Sequence, residues 1–233
     1  MNNHPSFPAT PPAGASGAPH PRRLAPIVLL LASLAAIPAR AQTTLVSNLG
    51  QSTLGNSGVT LTDRFATAFT TDNSEAGWTL DSVSLLMGTA TDTSGNFFAA
   101  IYSDGSGEPG SLLETLSGAS DPATAATYPY SSVGLNLDPN TTYHMVTGVS
   151  SGSGHYGWTN TLSTSETGSW SITNSMNRST DGGSSWTPLS SIQMFSVAAS
   201  AIPEPGSVAV GLSAAALGFV LIARRRKQHA VSA

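Results

Sequence analysis

An all-β fold, a jelly-roll-like sandwich of two sheets, is predicted for residues 42–202 on three observations. Short runs with strand-like alternation recur along these 161 positions, separated by clusters of Gly, Asn, Asp and Pro. Ser, Thr and Gly make up 72 of the 161, which suits polar sheet faces joined by turns. No window of a dozen residues carries a capped apolar stripe at the helical period.

The predicted strands are 43–49, 64–70, 79–87, 97–103, 142–149, 169–173 and 192–198. Within the third, Val83, Leu85 and Met87 share one face while Ser82 and Ser84 occupy the other, the pattern of a half-buried strand. Phe97 to Tyr102 is apolar on both faces and so predicts a central strand. Turn signals fall at Asn56-Ser57-Gly58, Asp104-Gly105-Ser106-Gly107, Ser120-Asp121-Pro122, Asp138-Pro139-Asn140 and Asp181-Gly182-Gly183. A domain of this length buries about 70% of its unfolded surface. It therefore needs no disulfides, and the chain has no cysteine with which to make them.

The flanks differ in kind. Arg22-Arg23 precede an apolar run at 24–37 that closes on Pro38-Ala39-Arg40-Ala41. A basic start, a short apolar stretch and small residues at Ala39 and Ala41 are the parts of a signal peptide, here residues 1–41, cleaved after Ala41. An uncleaved anchor is the alternative, disfavoured by Pro38 and the small-residue exit. At the other end, 206–223 are eighteen uncharged, mostly apolar residues, about 27 Å as a helix, which fits one transmembrane crossing. Arg224, Arg225, Arg226 and Lys227 follow and would hold that end in the cytoplasm, leaving 42–202 outside.

Charge is segregated accordingly. The whole chain is 9% charged with a net charge of −4, where soluble domains average about 25% charged. Residues 42–202 hold twelve acids against Arg64 and Arg178 alone, a net −10 with no lysine. Nucleic acid is thereby excluded as a partner, because phosphate binding rests on Lys and Arg.

Pro203-Glu204-Pro205 stand directly before the apolar segment. Together with that segment and the basic end, they resemble the PEP-CTERM sorting signal over 203–233. The resemblance implies an exosortase-type membrane protease as partner, at least transient residence in the inner membrane, and a Gram-negative surface or extracellular matrix, often rich in exopolysaccharide. Physically, the two prolines keep Glu204 out of a helix and leave an extended peptide at the membrane boundary. A plain anchor whose prolines only end the helix is the alternative. The stretches 79–87, Ala100-Ile101-Tyr102-Ser103-Asp104, Pro109-Gly110-Ser111-Leu112-Leu113 and 137–143 are in turn similar to the choice-of-anchor R extracellular domain. That family implies location and no catalytic residues.

Among local motifs, Ser179-Thr180-Asp181-Gly182-Gly183-Ser184-Ser185-Trp186 fits the Asp-box of sialidase-like and other secreted β proteins. It predicts a turn in which the carboxylate accepts amide hydrogens, the glycines take positive φ and Trp186 packs beneath. One copy lacks the repeats of about 40–50 residues that a propeller requires. Asp104-Gly105-Ser106-Gly107-Glu108 offers calcium-type oxygens without the dense carboxylates of an EF-hand, so a hairpin turn is expected and no metal. His144 reads as a structural strand histidine without a carboxylate neighbour. In Gly154-His155-Tyr156-Gly157-Trp158, read as a loop, Tyr156 and Trp158 are candidate glycan contacts, with burial of Trp158 the competing reading. Asp63, Asp72, Glu75, Asp81 and Glu166 could supply an acidic pair for hydrolysis, but nothing selects one. G-x-S-x-G, H-E-x-x-H and the P-loop are absent. The expectation is a non-enzymatic structural or adhesive protein without cofactor or catalytic residues; the alternative is a carbohydrate-binding module or glycan-active enzyme of the exopolysaccharide layer. Exported protein is expected to begin at Gln42; an N-terminal sequence starting earlier overturns the cleavage assignment.

Overall fold

A computed structural model describes residues 42–74 and 76–203. Ala39, Ala41, Glu75, Glu204, Pro205, the apolar segment and Arg224, Arg225, Arg226 and Lys227 lie outside the described residues. The described chain is all-β, with two antiparallel sheets and no helix. Its strands are β1 (Thr43–Ser47), β2 (Gly55–Val59), β3 (Arg64–Thr70), β4 (Trp78–Asp92), β5 (Gly95–Asp104), β6 (Pro109–Thr115), β7 (Ser117–Gly118) and β8 (Ala126–Ser131). There follow β9 (Asn136–Leu137), β10 (Thr142–Gly152), β11 (His155–Thr161), β12 (Thr167–Gly168), β13 (Ser171–Ser179), β14 (Thr187–Leu189), β15 (Ile192–Gln193) and β16 (Phe195–Ala201). One sheet runs β12-β1-β16-β4-β11-β15, with β2 beside β11, β8 and β9 beside β4, and β7 beside β8. The other runs β14-β13-β3-β10-β5-β6.

Alternation along the strands fills the space between the sheets. Val83, Leu85 and Met87 of β4 are buried, as their spacing predicts, while Ser82 and Ser84 are half-buried. β5 is an interior strand between β10 and β6, as its two apolar faces require. Aromatic contacts join the sheets: Phe69 of β3 lies 6.3 Å from Phe195 of β16, and Phe97 of β5 lies 5.4 Å from Tyr156 of β11, centroid to centroid. Trp170 stacks on Phe69 at 5.7 Å. Pairs of this kind add about 0.5–1.5 kcal/mol beyond the area they bury.

Glycine misleads the turn prediction twice. Asn56-Ser57-Gly58 is not a turn but the middle of β2, paired with β11 from Tyr156↔Val59 to Asn160↔Gly55. The His155 ring lies against Gly58 and the Asn56 amide against Gly88, so a Cβ at either glycine would collide with its neighbour. These glycines admit close side-chain approach within a sheet. Gly154 to Trp158 is likewise not a loop, since all but its first residue belong to β11.

The predicted strand at 192–198 is also divided. β15 pairs with β11, whereas β16 pairs with β4 and β1. The buried Asn48 side chain bridges the break at Met194: its Nδ2 donates to the Gln193 carbonyl at 2.9 Å and its Oδ1 accepts from the Phe195 amide at 2.8 Å. A side-chain amide thus stands in for the neighbouring strand that these two backbone groups lack.

The registers define two poles. Thr43 lies opposite Ala199, and Ala201 opposite Trp78, so the described chain starts and ends at one pole. At the far pole Asp92 faces His155, Val59 faces Tyr156 and Arg64 faces Ser179. Replacing Asn48 with Ala should destabilise the domain by about 2–5 kcal/mol, because two buried backbone groups lose their partner. Urea unfolding is the check, and a change below about 0.5 kcal/mol would remove Asn48 from this role.

Candidate functional site

Loop 60–63 carries the chain from β2 in one sheet to β3 in the other. It closes on itself: the Thr60 amide donates to the Asp63 carbonyl at 2.9 Å, the Asp63 amide donates to Thr60 Oγ1 at 2.9 Å, and Thr60 Oγ1 donates to Asp63 Oδ2 at 3.1 Å. The carboxylate is thereby fixed toward β13, where Arg178 Nε and Nη2 both donate to Asp63 Oδ1, at 3.1 and 2.5 Å. Arg178 stands beside Phe65 in the strand register, with its guanidinium carbon 5.9 Å from the ring centroid. Burial works to raise the Asp63 carboxyl. Hydrogen bonds from Arg178 and Thr60 and the guanidinium charge outweigh it and hold the group below the ordinary Asp value.

The pair borders a cleft of ≈ 460 Å³ between the edges of the two sheets. Phe65, Met176 and Leu189 give it an apolar wall, and Ser57, Thr60 and His155 complete a polar rim. The Arg178 side chain is 45% exposed, so its outer edge remains open to a ligand. Sequence reasoning missed this arrangement, since Asp63 and Arg178 are 115 positions apart. One signal was present: Arg178 is one of only two basic residues in the domain. A larger groove of ≈ 640 Å³ at the pole of chain entry and exit includes Gln42, Asp81 and Ser200, where Asp81 already accepts the Ser200 hydroxyl at 2.7 Å.

Tyr156 and Trp158 are both 0% exposed, and neither offers a ring face to a glycan. Because they belong to β11, their shared face is the core face: Trp158 packs near Phe195 and donates through Nε1 to the Met194 carbonyl at 3.0 Å, while the Tyr156 hydroxyl donates to the Gly95 carbonyl. Burial of Trp158 is thus the reading that holds.

The Asp-box segment forms the predicted turn. Asp181 Oδ1 accepts from the Ser184 and Ser185 amides at 3.0 and 2.9 Å, and Gly182 and Gly183 have φ of 72° and 92°. Hydrogen bonds from the Ser185 and Ser179 hydroxyls, then from the Ser185 amide, push the Asp181 carboxyl far below the usual range. Trp186 is half-buried against this turn rather than in the core.

His144 does have a carboxylate partner, contrary to expectation. Asp104 ends the adjacent β5, and its Oδ1 lies 2.8 Å from His144 Nε2. The same carboxylate accepts from the Ser106 and Gly107 amides at 3.1 and 3.0 Å, so this segment is a turn. Burial lowers the His144 pKa, outweighing Asp104, and Nδ1 has no hydrogen-bond partner among the described residues. The neutral ring is the form that fits, with Nε2–H donating to the carboxylate.

Of the acids considered for hydrolysis, Asp63 serves Arg178, Asp81 serves Ser200, and Asp72 accepts from Trp78 Nε1 at 2.8 Å and Ser169 Oγ at 2.9 Å. Glu166 is half-buried between β11 and β12. No family model, curated protein or solved structure matches this chain.

The depressed His144 pKa sets a pH dependence. Its contribution to stability is complete above the unfolded value of 6.5 and is lost as pH falls toward the folded pKa, because the unfolded chain takes up a proton first. Urea unfolding between about pH 8 and pH 5 should show stability falling toward acid, and His144→Gln should flatten that slope. An unchanged slope would assign it to other groups.

Proposed function

We propose that this chain is an exported protein of the cell surface or extracellular matrix, sorted through its C-terminal tail by an exosortase-type membrane protease. Its jelly-roll-like sandwich would do structural or adhesive work within an exopolysaccharide layer and catalyse no reaction. The observation that carries the reading is the conjunction, in order, of Pro203-Glu204-Pro205, the apolar segment 206–223 and the basic run Arg224-Arg225-Arg226-Lys227. The geometry of the exit supports it. β16 ends at Ala201 and Pro203 is exposed, so the motif begins where strand pairing stops and a processing enzyme can approach it without opening the domain. Commitment of Asp63, Asp72 and Asp81 to bonds within the fold supports display over hydrolysis.

Replacing Pro203, Glu204 and Pro205 together with Ala, in an exosortase-bearing Gram-negative host, should leave the tail attached and retain the protein in the inner membrane. Intact mass and cell fractionation give the readout. Unchanged tail removal and surface display would reduce the segment to a plain anchor.

A further inference from the structure

We infer that the cleft between loop 60–63 and strands β11, β13 and β14 is a binding site for a neutral polysaccharide, with Arg178 as its principal hydrogen-bond donor. Pyranose rings present apolar C–H faces and a rim of hydroxyls, and a site for them needs an apolar wall beside a few fixed polar groups. Leu189, 37% exposed, provides the open part of the wall, with only the margins of the buried Phe65 and Met176 beside it. The polar side is prepared in advance: Thr60 holds the Asp63 carboxylate, and the carboxylate holds the guanidinium through Nε and Nη2. That leaves Nη1, which makes no hydrogen bond to a described residue, on a side chain that is 45% exposed. Asp63 is therefore a positioning residue, and Arg178 makes the contact. His155, exposed on the opposite rim with its ring against Gly58, supplies a second polar edge across the cleft.

Charge selects a neutral ligand. Arg178 is neutralised by Asp63, and residues 42–202 carry −10 overall, so an anionic polymer meets repulsion with no free cation in the cleft to offset it. Position also suits a ligand met outside: the cleft is at the far pole from Gln42 and Pro203. The inference depends on the exported reading only for where such a polymer would be encountered.

The test is affinity electrophoresis of the full chain in detergent, through gels containing dextran, galactomannan or alginate. Dextran or galactomannan should retard the protein and alginate should not. Arg178→Met, which keeps an apolar stem over Phe65, and His155→Ala, at an exposed position, should each weaken retention, Arg178→Met by about tenfold or more. Melting temperature should stay near that of the parent, and Val133→Thr, 93% exposed at the opposite pole, should bind as the parent does. Absence of retardation by both neutral polymers, retardation by alginate alone, or equal binding by the Arg178→Met and His155→Ala proteins would overturn the assignment. None of these results bears on tail processing, which is measured separately in cells.

Discussion

The buried amide of Asn48 holds together a segment that must serve two partners. β15 continues the ladder of β11, and β16 continues those of β4 and β1, yet the chain passes from one to the other through the single residue Met194. A straight strand cannot satisfy both registers. By bonding the Gln193 carbonyl and the Phe195 amide, Asn48 lets the backbone deviate there without leaving a buried polar group unpaired. The Met194 carbonyl is used too, accepting from the Leu86 amide and the Trp158 indole. The largest buried side chain is thereby placed against the same kink that joins the two halves of the sheet.

A domain without cysteine and with few charges needs other means of fixing its loops. Its carboxylates supply one. Asp72, Asp92, Asp104 and Asp181 each accept a backbone amide two to four residues ahead, and Glu114 reaches across from β6 to the Val133 amide. Four of the twelve acids in residues 42–202 thus serve local turns, and that part of the net charge is a by-product of the use. Ser and Thr complete the pattern by bonding between strands, as Thr70 does with Thr142 at 2.9 Å.

What could be read from the sequence follows from range. Alternation is a local property, so the strand at 64–70 is found with its bounds intact, and the core face of β4 is correct to the residue. The Asp-box turn is equally local, and its carboxylate does what its spacing implies. Glycine is ambiguous because the same residue serves a turn or a crowded sheet, and only the partner decides: the His155 ring over Gly58 is 97 positions away in sequence. Tyr156 and Trp158 were correctly placed on one face, but which face looked inward depended on pairing with β2 and β4. The cleft was invisible for the same reason, since every side of it comes from a different part of the chain. The break at Met194 escaped because its cause, Asn48, sits in a connection nearly 150 residues upstream.

The antiparallel placement of β1 and β16 has a mechanical meaning. Tension applied between Pro203 and the far pole would enter along β16, which is hydrogen-bonded to β1 on one side and β4 on the other. That direction lies parallel to the strands, so the bonds on both flanks carry the load together in shear; a perpendicular pull would open them one after another. A domain held by its last strand and gripped at its opposite end is thus loaded along its strongest axis.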